Sequence, residues 1–175
     1  MAGTDPARPL IFQRFMGSVP KFSYVCATAM HPNTFMDSPY DEGFWLGAYP
    51  AMVGFDGFLR WAANSWPKDP YDDASFKTIR KGNLHWRPGD TFFVYPGGEL
   101  SARMIALRAG VVAAEKMRIL REEGNGKREN GSAADDIEAA IKRIAAPYGY
   151  KAAVRGEIDF AAFRRDVESL VNAVR

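Results

Sequence analysis

The stretch Asp56–Pro70, DGFLRWAANSWPKDP, holds the residues best suited to grip a ligand. On an extended strand, Phe58, Arg60, Ala62 and Asn64 point one way, while Leu59, Trp61 and Ala63 point the other. Arg60 among apolar neighbours has to be paired or stand at a wet end of the sheet, because burying a lone charge is prohibitive. Asn64 and Trp66 leave the strand at its C-terminal end, where parallel α/β architectures put their ligand chemistry. Seventeen of the 23 aromatic residues fall between Phe22 and Tyr95. Most suit a core, but Trp61, Trp66, Tyr71, Trp86 and Tyr95 stand beside Pro, Gly, Asp and Asn, where chains turn and surfaces open. The C–H faces of sugars stack on such rings, so the pattern suits a carbohydrate or another flat-faced ligand. The alternative is a strand whose aromatics merely pack beneath a loop.

Other chemistries are poorly provided for. With two histidines, His31 and His85, one cysteine, and no HExxH or Cys/His spacing, no metal site is expected. There is no GxSxG elbow, and Cys26 sits mid-strand as a buried thiol. Pro96-Gly97-Gly98-Glu99 lacks the lysine and spacing of a P-loop and reads as a tight turn. No cofactor is expected. A formal charge of +2, from 23 basic and 21 acidic residues, gives no electrostatic case for nucleic acid or an anionic membrane. No apolar run approaches the roughly 18 residues that cross a bilayer. The start, MAGTDPARPLIFQRF, has no apolar h-region and does not read as a secretory signal, although a full-length parent could be exported.

These residues need elements to hold them. Phe22–Thr28 reads as a buried strand, and Ser38-Pro39 as the N-cap and first position of a helix reaching about Val53, with Gly54 as terminator. A second strand runs from Asp56 to Ala63, parallel to the first. Residues 71–90 read as a long loop, and Thr91–Tyr95 as a third strand. A long helix spans Ser101 to Glu123, with a stripe of Met104, Leu107, Val111 and Ala114 broadened by Ile105, Val112 and Ile119. A Gly/Asn/charge linker at 124–131 leads to two helices. One starts at Ser132 and stops before Pro147; the other is capped by Asp159 and carries Phe160, Phe163, Val167, Leu170, Val171 and Val174.

Several segments resemble a known family. They are Pro32-Asn33-Thr34-Phe35, Asp56–Ala62 with Asn64, Ser65 and Trp66, and Gly89-Asp90-Thr91 with Val94–Gly97. Ser101, Arg103, Leu107-Arg108, Gly110, Glu115-Lys116 and Arg118–Leu120 continue the match along the long helix. In this order they are similar to the C-terminal end of the glycoside hydrolase family 123 catalytic domain (DUF4091), over about residues 22–123. The helix departs from the pattern at Ile105, Ala109, Ala113 and Ala114.

The resemblance implies an α/β fold: the last two βα units of a (β/α)8 TIM barrel at 1–123, a linker at 124–131 and a helical tail at 132–175. It implies carbohydrate chemistry of the retaining β-N-acetylgalactosaminidase type. There the substrate's own N-acetyl oxygen attacks the anomeric carbon, an aspartate holds that amide and a neighbouring glutamate protonates the leaving oxygen. That Asp-Glu pair belongs to a mid-barrel strand before the matched region. The adjacent pair here, Asp41-Glu42, falls in a helix first turn and is assigned no catalytic role. The resemblance places sugar over the strand ends, hence on Arg60, Trp61, Asn64, Trp66 and Tyr95. The expected partner is an N-acetylhexosamine-type glycan, with self-association through exposed strand edges open. Three readings remain: a glycosidase portion inactive alone, a non-enzymatic carbohydrate-binding or interaction module, and a degenerate product with no independent fold.

Overall fold

The computed structural model describes residues 20–25, 30–72, 76–78, 84–126 and 132–172. Cys26, residues 127–131 of the expected linker, Val174 and the side chain of Trp86 lie outside that description. Strand β1 (Phe22–Tyr24) pairs in parallel with β2 (Gly57–Leu59), Ser23 opposite Phe58, and helix α1 (Tyr40–Met52) connects them. This is the strand–helix–strand order expected from the sequence, with shorter strands. Pro39, not Ser38, stands at the N-cap, and the Ser38 hydroxyl instead accepts the Phe35 N–H at 3.2 Å. At the far end the Phe55 N–H returns to Pro50 O, and Gly54 takes φ +86°, the left-handed turn that ends a helix without a Cβ clash.

Two expectations fail for want of readable pattern. Residues 71–90 are not all loop: β3 (Phe76–Thr78) and β4 (Leu84–Trp86) form an antiparallel pair. Three-residue strands are too short for alternation to register. The expected strand at 91–95 is reduced to single bridges, Asn64 to Phe92 and Val94 to Leu100, because the chain changes partners between them. Among the described residues the result is a mixed helical fold with two small two-stranded sheets. The one parallel pair among the described residues does not by itself show a barrel.

Helix α2 (Ala102–Gly126) runs three residues past Glu123, so the start of the expected linker is helical. Its buried face is Ala106, Leu107, Gly110, Ala113, Met117 and Leu120, whereas Ile105, Val111, Val112 and Ile119 are exposed. The stripe read from large apolar residues is therefore rotated, because small residues face α1. An ideal Cβ on Gly110 would stand 2.2 Å from Phe44 O, and one on Gly47 2.6 Å from Leu107 O. Backbones this close admit only glycine.

The C-terminal helices close the core from the other side: α3 (Ser132–Ala145), a 3₁₀ turn at Ala146–Tyr148, α4 (Tyr150–Val154), which the sequence did not announce, and α5 (Phe160–Asn172). Asp159 caps α5 as expected, its carboxylate accepting the Ala162 N–H at 2.9 Å. Trp45 stacks on Tyr49 at 4.4 Å and meets Phe160 and Phe163 at 6.3 and 6.4 Å, while its indole N–H donates to Tyr148 O. Arg121 of α2 donates to Ala51 O at the end of α1 and pairs with Glu138 of α3. Among the described residues no helix is long and apolar enough to cross a membrane.

Gly110→Ala is expected to cost about 2–3 kcal/mol, since the added methyl meets a backbone carbonyl that cannot yield without separating the helices. A lowered urea midpoint with an unchanged slope checks this.

Candidate functional site

The chain leaves β2 at Leu59, and the next side chain turns inward. The Arg60 side chain is 4% exposed and its guanidinium is held by Asp90, by Asn33 Oδ1 at 3.0 Å, by Val25 O at 3.2 Å and by Asp90 O at 3.1 Å. The Arg60 guanidinium is thus turned to the protein's own acceptors and away from the exposed layer on which the sequence reading set it. It does meet the alternative the sequence allowed, a paired charge. Burial pushes the Asp90 carboxyl up, and the charge and hydrogen bond of Arg60 pull against that. Beside it, Arg103 donates to Thr34 O at 2.8 Å and to Gly89 O, with its guanidinium against the Phe92 and Phe93 rings.

A second buried carboxylate organises the loop before α1. Glu42 is wholly buried; one oxygen lies 2.5 Å from His31 Nδ1 and the other accepts the Asn33 N–H at 2.6 Å. Asn33 Oδ1 in turn accepts the Thr34 N–H, so the loop is tied to the same amide that receives Arg60. Desolvation raises the Glu42 carboxyl above its usual value, although the Asn33 N–H and His31 oppose it. Its neighbour Asp41 faces another way and pairs with Arg164 of α5 at 3.1 Å. Adjacent helical side chains diverge by about 100°. The pair cannot converge on one reacting atom.

Outside this frame lies an exposed layer built by two loops. Ser65 N–H donates to Thr91 O and the Thr91 hydroxyl to Ser65 O, while Phe93 and Val94 N–H share Ala63 O. The 95–99 turn closes through Tyr95 N–H to Glu99 O, with Gly97 and Gly98 at φ +87° and +90°, as the tight-turn reading expects. Ser101 then caps α2, its hydroxyl accepting the Met104 N–H.

On this layer Trp61 is 46% and Trp66 40% exposed, and Asn64 is exposed beside them in sequence. The Trp66 indole N–H donates to Val94 O at 2.6 Å. Tyr95 is half-buried and stacks on Tyr71 at 4.9 Å. The Tyr71 hydroxyl lies 3.2 Å from Pro96 O and 3.3 Å from Glu99 Oε2. Met36, Tyr71, Tyr95, Glu99, Leu100 and the side of Arg103 line an open groove of about 420 Å³. The layer thus joins Trp66 and Tyr95 through the 91–95 segment. Sequence reasoning gave no role to Tyr71 beyond its aromatic neighbourhood and missed Glu99, Asp90 and Arg103. The Gly89-Asp90 turn was the available signal for Asp90. Among the described residues no group of three or more His, Cys, Asp or Glu side chains could hold a metal ion.

A family model described as "Glycoside hydrolase 123, catalytic domain" matches residues 13–120. No curated protein matches the chain. Among solved structures, a family 123 glycoside hydrolase from Clostridium perfringens, described for glycolipid glycan hydrolysis, is similar with a TM-score of 0.59 and 20% identity. The match covers 86% of this chain and 27% of that one, so the chain spans about a quarter of the length of that relative. At this identity the likeness is one of fold.

Arg60→Leu should cost about 3–5 kcal/mol, because it strands the buried Asp90 carboxylate; adding Asp90→Leu should recover part of the loss in a double-mutant cycle. A pH effect follows from Glu42. Its folded pKa lies above the unfolded value, so the unfolded chain releases this proton first as pH rises. Stability through this group then falls across the carboxylate range. Glu42→Gln should flatten that part of the urea-midpoint profile against pH, while Glu42→Ala, leaving the Asn33 N–H buried without its acceptor, should lose about 1–3 kcal/mol.

Proposed function

Since the chain belongs to the glycoside hydrolase 123 catalytic-domain family, we propose that it is a carbohydrate-contacting portion of a glycosidase-like protein with no acid–base pair of its own. The observation that carries this reading is the layer of exposed aromatic and amide side chains that follows a parallel strand inside the family-matched segment. Trp61, Asn64, Trp66 and Tyr95 are the proposed contacts, with Arg60 holding their loops in place from behind. The glycan is of N-acetylhexosamine type, and the residues up to about 123 derive from the closing βα units of a barrel, with 132–175 as a helical tail.

Hydrolysis by the substrate-assisted route needs an aspartate on the N-acetyl group and a glutamate on the leaving oxygen, side by side. Asp41 and Glu42 are committed to Arg164 and to His31 with Asn33. Neither is free to serve. The reacting carboxylates are therefore to come from elsewhere in a larger assembly, joined through the outer edges of the two-stranded β1–β2 sheet.

A second reading, a non-enzymatic carbohydrate-binding module, is favoured by one observation. The C-terminal helices pack on the core around Trp45. Both readings share the sugar-facing layer and differ in whether catalysis occurs around it.

The purified chain should give no turnover of an aryl β-N-acetylgalactosaminide. Turnover that Asp41→Asn or Glu42→Gln abolishes would overturn the assignment of those carboxylates to structure.

A further inference from the structure

We propose that the groove in front of α2 is a second sugar subsite, selective for a neutral pyranoside, with Tyr71 as its stacking platform and Glu99 as its hydrogen-bond acceptor. The proposal rests on the carbohydrate reading above and adds a place and a ligand class to it.

Tyr71 is the central observation. The residue is 61% exposed, the most of any tyrosine or tryptophan described, yet it is not loose. One face stacks on Tyr95 at an interplanar angle of 23°. Its hydroxyl is anchored between Pro96 O and Glu99. Its backbone is pinned by Asp69, whose carboxylate accepts the N–H groups of Tyr71 and Asp72 at 3.0 and 3.3 Å. A ring fixed by three attachments and left with its other face to water is pre-organised for a partner, so little ordering entropy remains to be lost on binding.

The partner's shape and charge follow from the walls. A volume of about 420 Å³ falls in the range of small-ligand sites. Met36 and Leu100, both exposed, give apolar flanks to the C–H edges of a ring. Glu99 accepts hydroxyl protons and repels an acid. Arg103 keeps its charge but holds it inward, where its guanidinium donates to Thr34 O and Gly89 O and faces the Asp90 carboxylate and the Tyr95 hydroxyl. The groove is built for hydroxyls and against carboxylates.

The test titrates the full chain with methyl β-galactopyranoside, methyl β-N-acetylgalactosaminide and methyl β-glucuronide, followed by calorimetry and saturation-transfer NMR. The neutral glycosides should bind with Kd on the order of 1 mM and the glucuronide more weakly. Tyr71→Ala should weaken the neutral glycosides about tenfold, Tyr71→Phe should keep most of the affinity, and Glu99→Gln should raise the glucuronide to the level of the others. Ile119→Ala, on the exposed side of α2, should leave groove binding unchanged. If a Tyr71→Ala protein of wild-type circular dichroism and melting point binds like the wild type while Trp61→Ala does not, the groove is refuted and the strand-end site stands. Tighter binding of the glucuronide than of the neutral sugars refutes the ligand class. If the wild type binds neither neutral glycoside, this subsite and the carbohydrate reading beneath it both fall.

Discussion

The Arg60 guanidinium, enclosed behind the end of β2, ties together three stretches that share no strand with one another. These are Val25 after β1, Asn33 in the loop before α1 and Asp90 in the loop before α2. A charge in that position has no water to fall back on, so each of its acceptors has to be present and correctly placed. The geometry of the outer layer is inherited from this. Thr91 follows Asp90 directly and carries the hydrogen bonds to Ser65 that hold Trp66 and the 91–95 segment in register. Loops of this length owe their shape to a buried polar knot, where regular elements would owe theirs to periodicity.

That difference explains what could be read in advance. The βαβ unit around α1 was legible because Pro39, Asp41 and Gly54 are local signals that act within a few residues. The long reach of α2 was legible from its composition, but not its orientation. Burial there follows closeness of approach, and the faces that touch are Gly43, Gly47, Ala106 and Gly110, which carry no hydrophobic weight. The Tyr71–Tyr95 stack and the Arg60–Asp90 pair join positions 24 and 30 residues apart through irregular chain. No period links such positions, so tertiary contact alone reveals them. Arg60 itself was half legible: its need for a partner was evident, and its direction was not.

The fate of Asp41 and Glu42 carries a related lesson. Two acids in sequence look like a catalytic pair, yet a helix sends consecutive side chains to different neighbours. One became a strut to α5, the other the keystone of the His31–Thr34 loop. The family's chemistry requires carboxylates that converge, and convergence of neighbours is a property of strand ends and loops more than of helix turns. What this chain presents outside that frame is a surface of rings and amides on loops held by buried polar groups.

The glycine contact between α1 and α2 has a bearing on that surface. Gly47 lies seven residues, about 10 Å, along α1 from its first residue, and Gly110 lies eight residues, about 12 Å, along α2 from its own. The segments leading into those two helix starts carry Met36 on one wall of the groove and Tyr95 to Leu100 on the other. The two helices stay in close contact up to their first turns as well, where Gly43 lies against Arg103 O and Ala106. The separation of the groove's walls is thereby tied to close backbone contacts at Gly43, Gly47 and Gly110.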